Sequence, residues 1–184
     1  SLPKVAVGDT LGDAVTGILD YSFGQYRLLV IEPVTMTAGG LPAEVSAPGQ
    51  DWLLRVASFN VENLGARDSA TKYARLATQI VEHLRSPDIL ALQEIEDNSG
   101  AGDDGVVEAD RTYARLVTAI TAAGGPAYAW RDIAPVNNQD GGEPGGNIRV
   151  GFLFRPDRVT FVDRPGGDAT TPVVPLAAEG SVQL

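Results

Sequence analysis

The chain has no cysteine, a single histidine, a single methionine, and only 14 lysines and arginines against 24 aspartates and glutamates. Without cysteine there are no disulfides, no thiolate metal ligands and no cysteine nucleophile, so zinc held through sulfur is excluded. The lack is compatible with secretion but does not demonstrate it. A formal charge of −10 and a pI near 4.4 argue against a broad basic surface that holds nucleic acid. A bound divalent ion with one or two arginines can still attract a phosphate locally. The apolar runs are only a few residues long, so no membrane span is expected. Ser1-Leu-Pro-Lys4 does not read as the start of a signal peptide, and any export signal is expected to have been removed or to lie outside these residues.

What is present is enough apolar residue, 43% of 184, to build a real core. Residues 14–21 and 25–31 are β-rich and flank Ser22-Phe23-Gly24, which predicts a hairpin, and residues 4–7 suggest one more strand. So few short strands seldom stand alone, so residues 1–36 read as the end of a β module, with residues 37–51 as a linker rich in Gly, Pro, Ala and Ser.

From residue 52 the pattern changes to α/β. Residues 53–59 predict a strand, and residues 71–84 a helix whose apolar stripe is Tyr73, Leu76, Ala77, Ile80 and Leu84. Ser86-Pro87 ends that helix, because proline disfavours helical geometry in the residue before it. A strand follows from Ile89, then an acidic glycine-containing loop at 96–105 and a second helix at 110–123. Residues 128–133 predict a strand, 136–146 a long Asn, Asp and Gly loop, and 148–154 another strand. Arg155-Pro-Asp-Arg158 predicts a tight turn with residues 159–162 as the returning strand. Beyond residue 164 there is little periodicity.

The chemistry concentrates in two segments, Ser58-Phe-Asn60-Val-Glu62-Asn63-Leu64 and Asp88-Ile-Leu-Ala-Leu-Gln93-Glu94-Ile-Glu96. Each reads as a buried strand ending in oxygen-bearing side chains, and one helix lies between them. Strand, helix, strand in that order favours a right-handed crossover with parallel strands, which puts both carboxyl ends on one sheet edge. Asn60, Glu62 and Glu94 are then expected to converge where carboxylate and amide oxygens suit a hard cation such as Mg²⁺. Taken singly, Glu94 is a solvated strand end, Asn60 a turn former and Glu62 a loop charge. The crossover is what joins them.

Arg149 stands in the apolar strand Ile148-Arg-Val-Gly-Phe-Leu-Phe154, where alternation places it with Gly151 and Leu153. A guanidinium there is a candidate clamp for a phosphate, the alternative being an edge-strand charge that discourages aggregation. His83, the only histidine, falls before the second strand and so at the edge opposite Glu94. It is read as a helix-end residue rather than a catalytic one.

These two segments, together with Gly145-Gly-Asn-Ile-Arg-Val-Gly-Phe-Leu-Phe-Arg-Pro156, resemble the endonuclease/exonuclease/phosphatase superfamily, and most nearly its large secreted bacterial deoxyribonucleases. The resemblance covers about residues 52–163, while residues 4–35 look like the final strands of an OB-fold-like module found in the same relatives. It implies an α/β (α+β) fold, here the N-terminal part of a four-layer α-β-β-α sandwich over residues 52–184. It implies a phosphodiester hydrolase acting on DNA outside the cell with Mg²⁺ or Mn²⁺, and with Ca²⁺ as a further structural candidate. By the same resemblance Asn60 positions the nucleophile or phosphate, Glu62 is an auxiliary acid, Glu94 is the principal metal ligand and Arg149 contacts phosphate. Phosphatase or phospholipase activity, or a non-catalytic scaffold role, are the alternatives.

Members of that superfamily continue with Asn-His, Gly-Asp-x-Asn and terminal Asp-His segments, which these residues do not contain. The chain alone is therefore expected to have little or no activity, since acid–base help is typically worth roughly 10²–10⁴-fold. An uncovered sheet face is expected too, and with it self-association or a companion fragment that completes the sandwich.

Overall fold

The structure is a computed structural model that describes residues 5–139, 141–163, 167–172, 174–175 and 182–183. It divides into two compact units, Ser1–Glu44 and Val45–Leu184. In the first, β2 (Gly17–Ser22) and β3 (Gln25–Val30) form the expected hairpin about Phe23 and Gly24, and β1 (Thr10–Leu11) pairs with β4 (Met36–Thr37). Of the strand expected at 4–7, Lys4 lies outside the described residues and Val5–Val7 are not in a strand. The unit breaks from the second near residue 44, inside the expected linker.

The second unit is a mixed four-stranded sheet under two helices, an α/β arrangement of the α+β kind. β5 (Val56–Leu64) and β6 (Ile89–Ile95) run parallel, joined by α1 (Ala70–Thr78) and a π-helical turn at Gln79–His83. Ser69 caps α1 by accepting the Lys72 N–H on its hydroxyl at 3.2 Å. Tyr73, Leu76, Ala77 and Ile80 bury the stripe that the periodicity marks. Past the π turn, Arg85 and Ser86 take positive φ before Pro87, and this ends the helix and turns the chain into β6.

α2 (Asp110–Ala122) has no capping side chain of its own at its start; instead the Asn98 amide oxygen accepts the Arg111 N–H at 2.9 Å. β8 (Arg149–Phe154) is antiparallel both to β6 and to β7 (Ala129–Asp132), giving the order β5-β6-β8-β7. The returning strand expected at 159–162 is absent, and the topology says why. Both edges of β8 are already taken by β6 and β7, so the segment turns away, with the Arg158 and Val159 N–H groups bonded back to the Arg155 carbonyl. Within the segment expected to be irregular, β9 (Val174–Pro175) pairs with β10 (Val182–Gln183).

One face of the sheet carries Phe59, Val61, Leu90, Leu92, Gly151, Leu153 and Trp130 against the helices. Gly151 is required there: a Cβ on it would lie 1.9 Å from the Tyr113 hydroxyl, whose ring stacks on Trp130. Tyr113 is fully buried, and burial pushes its pKa up. The other face keeps apolar side chains exposed, Val56, Val150 and Phe152 among them. That face also carries Ser58, Asn60 and Gln93.

Candidate active site

The parallel pairing of β5 with β6 is regular up to Asn60 opposite Gln93 and resumes at Leu64 opposite Ile95. Between those pairs, Val61, Glu62 and Asn63 of β5 face Glu94 alone, a bulge that bends the strand end and re-aims its side chains. Glu62, Asn63 and Glu94 all hold positive φ, at 58°, 50° and 62°. Left-handed geometry at non-glycine residues costs about 1–3 kcal/mol each, and such residues cluster where function needs a particular aim.

The bulge brings Asn60 and Glu94 together. The Asn60 Nδ2 donates to Glu94 Oε1 at 2.7 Å, and the Asn60 Oδ1 accepts the Glu62 N–H at 2.8 Å. The other carboxylate oxygen, Glu94 Oε2, accepts the Asn63 N–H at 3.2 Å. Asn63 thus orients the carboxylate through its backbone. Its positive φ is one that asparagine tolerates better than most residues.

Glu62 and Arg149 are placed elsewhere. The Glu62 carboxylate takes both arms of the Arg75 guanidinium, at 2.7 and 3.3 Å, and this hydrogen bonding holds its pKa below the usual range. It is committed to α1 rather than to the Asn60–Glu94 contact. Arg149, expected to clamp a phosphate, is buried on the helix-covered face. Its guanidinium donates to Asp132 Oδ2 at 3.1 Å, to the Asn147 carbonyl at 3.1 Å and to the Val107 carbonyl. The alternation of the strand is as read, but its arginine side is the core side, and there a buried charge needs an internal partner. His83 lies before β6 and so at the strand end opposite Glu94.

The loop after β6 is fastened to the loop before β8 by a buried network. Asn147 Nδ2 donates to Asp97 Oδ2 at 2.8 Å, and Asp97 Oδ1 accepts from the Ser99 N–H and hydroxyl at 2.7 and 2.8 Å. Beside Asn63, a surface pocket of about 350 Å³ is lined by Glu62, Asp68, Lys72, Glu96 and Glu143, among others. Glu96 is buried there, and desolvation first, then the negative charge of Glu143, push its pKa up to about 7.

A mixed sheet whose parallel pair ends in Asn60 and Glu94, backed by two helices, defines an α/β layer with its polar tip at a strand edge. Residues 57–183 match the model of the Endonuclease/Exonuclease/phosphatase family, and the chain belongs to that family. This makes it a member of a metal-dependent phosphoester hydrolase superfamily. Residues 1–38 match a domain of unknown function. Searches of curated proteins and of solved structures gave no match.

Enzymes of this family generally use divalent metal ions, and the donor chemistry here can be set against that requirement. Among the described residues, no three His, Cys, Asp or Glu side chains are grouped to hold an ion. Mg²⁺ needs no such cage, because it keeps several waters and is commonly held by one or two carboxylates plus substrate oxygens. Glu94 supplies a hard carboxylate, fixed on each oxygen by one N–H and open on its remaining lone pairs. The residues therefore fit a mostly hydrated ion held through Glu94.

Proposed function

We propose that the bulged ends of β5 and β6 form the metal- and phosphate-positioning part of a phosphodiester hydrolase site whose substrate is DNA. The observation that carries this is the 2.7 Å bond between Asn60 and Glu94 at the strand edge. Glu94 would hold Mg²⁺ or Mn²⁺, and such an ion supplies Lewis-acid stabilisation of charge on the phosphoryl oxygens. Asn60 gives one amide hydrogen to Glu94 and keeps a second for a phosphate oxygen, with its plane set by the Glu62 N–H. The only histidine lies at the other end of β6, so these residues contribute orientation and charge stabilisation, not water activation.

DNA as substrate and an extracellular setting rest on the resemblance of residues 145–156 to secreted deoxyribonucleases. Against DNA stands the net charge of −10, which favours a phosphatase or phospholipase substrate instead. The exposed Val56, Val150 and Phe152 form the face on which a second sheet of the sandwich would pack. The test is cleavage of DNA, an inositol phosphate and a phosphomonoester by the protein carrying this chain, with and without Glu94→Ala. Metal-dependent DNA cleavage that the substitution abolishes is the expected result; activity that survives it refutes the assignment.

A further inference from the structure

The pocket beside Asn63 contains a carboxylate that the fold encloses without satisfying. Glu96 is 4% exposed, and its Oε1 is buried with no hydrogen-bond partner. Three glycine backbones close on it: a Cβ would lie 2.9 Å from Oε2 at Gly65, 3.4 Å from Oε2 at Gly100 and 3.2 Å from Oε1 at Gly146. Backbone brought so close commonly gives its N–H groups to the acid. Here they go elsewhere, Gly65 to Asp68 Oδ2, Gly100 to the Asp97 carbonyl and Gly146 to the Glu143 carbonyl.

The nearby cations are also committed. Lys72 Nζ lies 2.7 Å from Asp68 and donates to the Asn63 carbonyl at 2.9 Å, while Arg75 is paired with Glu62. That leaves Glu96 and Glu143 with only Arg67 among the lining cations, and Arg67 reaches toward Gly102. A buried acceptor with no donor, next to a second acid, is a strong demand for positive charge from outside.

We propose that Glu96 and Glu143 hold a second hard divalent cation in this pocket, apart from the ion assigned to Glu94. The donors are the carboxylate oxygens of Glu96 and Glu143, with room in the pocket for coordinating water. Loops rather than rigid strands supply most of them, which suits the flexible coordination of Ca²⁺ better than the strict octahedron of Mg²⁺. Such an ion would tie the loop that carries Glu143 to the end of β6. It would also steady Asn63, which touches Glu143 through Nδ2 at 3.3 Å and Glu94 through its N–H at 3.2 Å. Its role is to position Glu94 through Asn63.

The experiment is Mn²⁺ binding to the full chain by electron paramagnetic resonance, with Ca²⁺ and Mg²⁺ as competitors. Glu143 is an exposed loop residue, so Glu143→Gln is expected to keep the circular dichroism and melting profile of the parent chain. It should lose one class of bound Mn²⁺, its affinity falling at least ~10-fold as a ligand charge is removed. Glu96→Gln should lose the same class, Ca²⁺ should compete for it, and Glu94→Ala should spare it. If Glu96→Gln and Glu143→Gln both bind Mn²⁺ as the parent does, or if Glu94→Ala alone removes all binding, the proposal is overturned and the two acids merely share a proton. Because the Glu94 class is read separately, failure at either site is distinguishable from failure at the other.

Discussion

Asn60 and Glu94 touch at 2.7 Å although 34 residues separate them, and the contact exists because the parallel ladder breaks immediately after Asn60. An unbroken pair of strands would have kept Glu62 on the open face with Asn60 but turned Glu94 to the helix-covered face with Leu90 and Leu92. The bulge instead turns Glu94 to meet Asn60 and the Asn63 N–H together, so one carboxylate is held from two directions.

In the protein carrying this chain, Asn60→Ala should therefore lower metal-dependent turnover by about 10²–10³-fold, the range seen on removing one donor aimed at developing charge. Asn60 is exposed, so the effect on stability should stay within about 0.5 kcal/mol. Single-turnover kinetics beside urea denaturation checks both halves. A loss of stability that accounts for the loss of rate would assign Asn60 to the scaffold.

Arg149 predicts the opposite pattern. Its guanidinium is buried against Asp132 and two carbonyls, so Arg149→Ala leaves Asp132 and those carbonyls without their donor and should destabilise by about 3–5 kcal/mol. The fraction that stays folded should keep near-normal phosphate affinity. Lysine should rescue poorly, since one ammonium cannot serve three separated acceptors. A folded Arg149→Ala chain of normal stability but raised KM would restore the clamp reading.

The two residues show what a linear reading captures here. The crossover, its helix stripe at Tyr73, Leu76 and Ile80, and the Asn60–Glu94 edge follow from periodicity and chain order, which are local in sequence. The face on which Arg149 lies does not, because alternation says which residues share a side but not which side the helices cover. Residues 159–162 have the composition of a strand, yet β7 already occupies the edge they would need, a fact set by pairing over long range. Glu96, Glu143 and the Asp97–Asn147 network join loops whose approach depends on glycine φ values and bulges, and residue identity alone carries no measure of those.

Gly151→Ala should destabilise the second unit by about 1–3 kcal/mol, the usual cost of overpacking a filled core. The Tyr113 hydroxyl occupies the space that the methyl group needs. The double variant Gly151→Ala with Tyr113→Phe removes that hydroxyl, which has no hydrogen-bond partner, and should recover much of the loss. Thermal melts of the parent, both single variants and the double variant measure the coupling. Strict additivity would mean that the ring is not what excludes the side chain.

Asp88 supplies a pH-dependent share of stability. It is buried at the start of β6, where burial alone would raise its pKa, yet the Arg55 N–H at 2.9 Å and the Arg158 guanidinium at 3.1 Å outweigh burial and hold it below the usual range. The unfolded chain titrates near the ordinary value of about 3.9, so at higher pH the folded state keeps the full advantage of the ionised group. As pH falls below about 4 the unfolded chain takes up the proton first, and the advantage drains away down through the lower folded pKa. Asp88→Asn lacks that titration. Urea midpoints of parent and variant should therefore differ most at neutral pH and converge as pH drops from about 4 toward 2, whereas a gap that stays constant would show that Asp88 contributes by shape and hydrogen bonding and not by its charge.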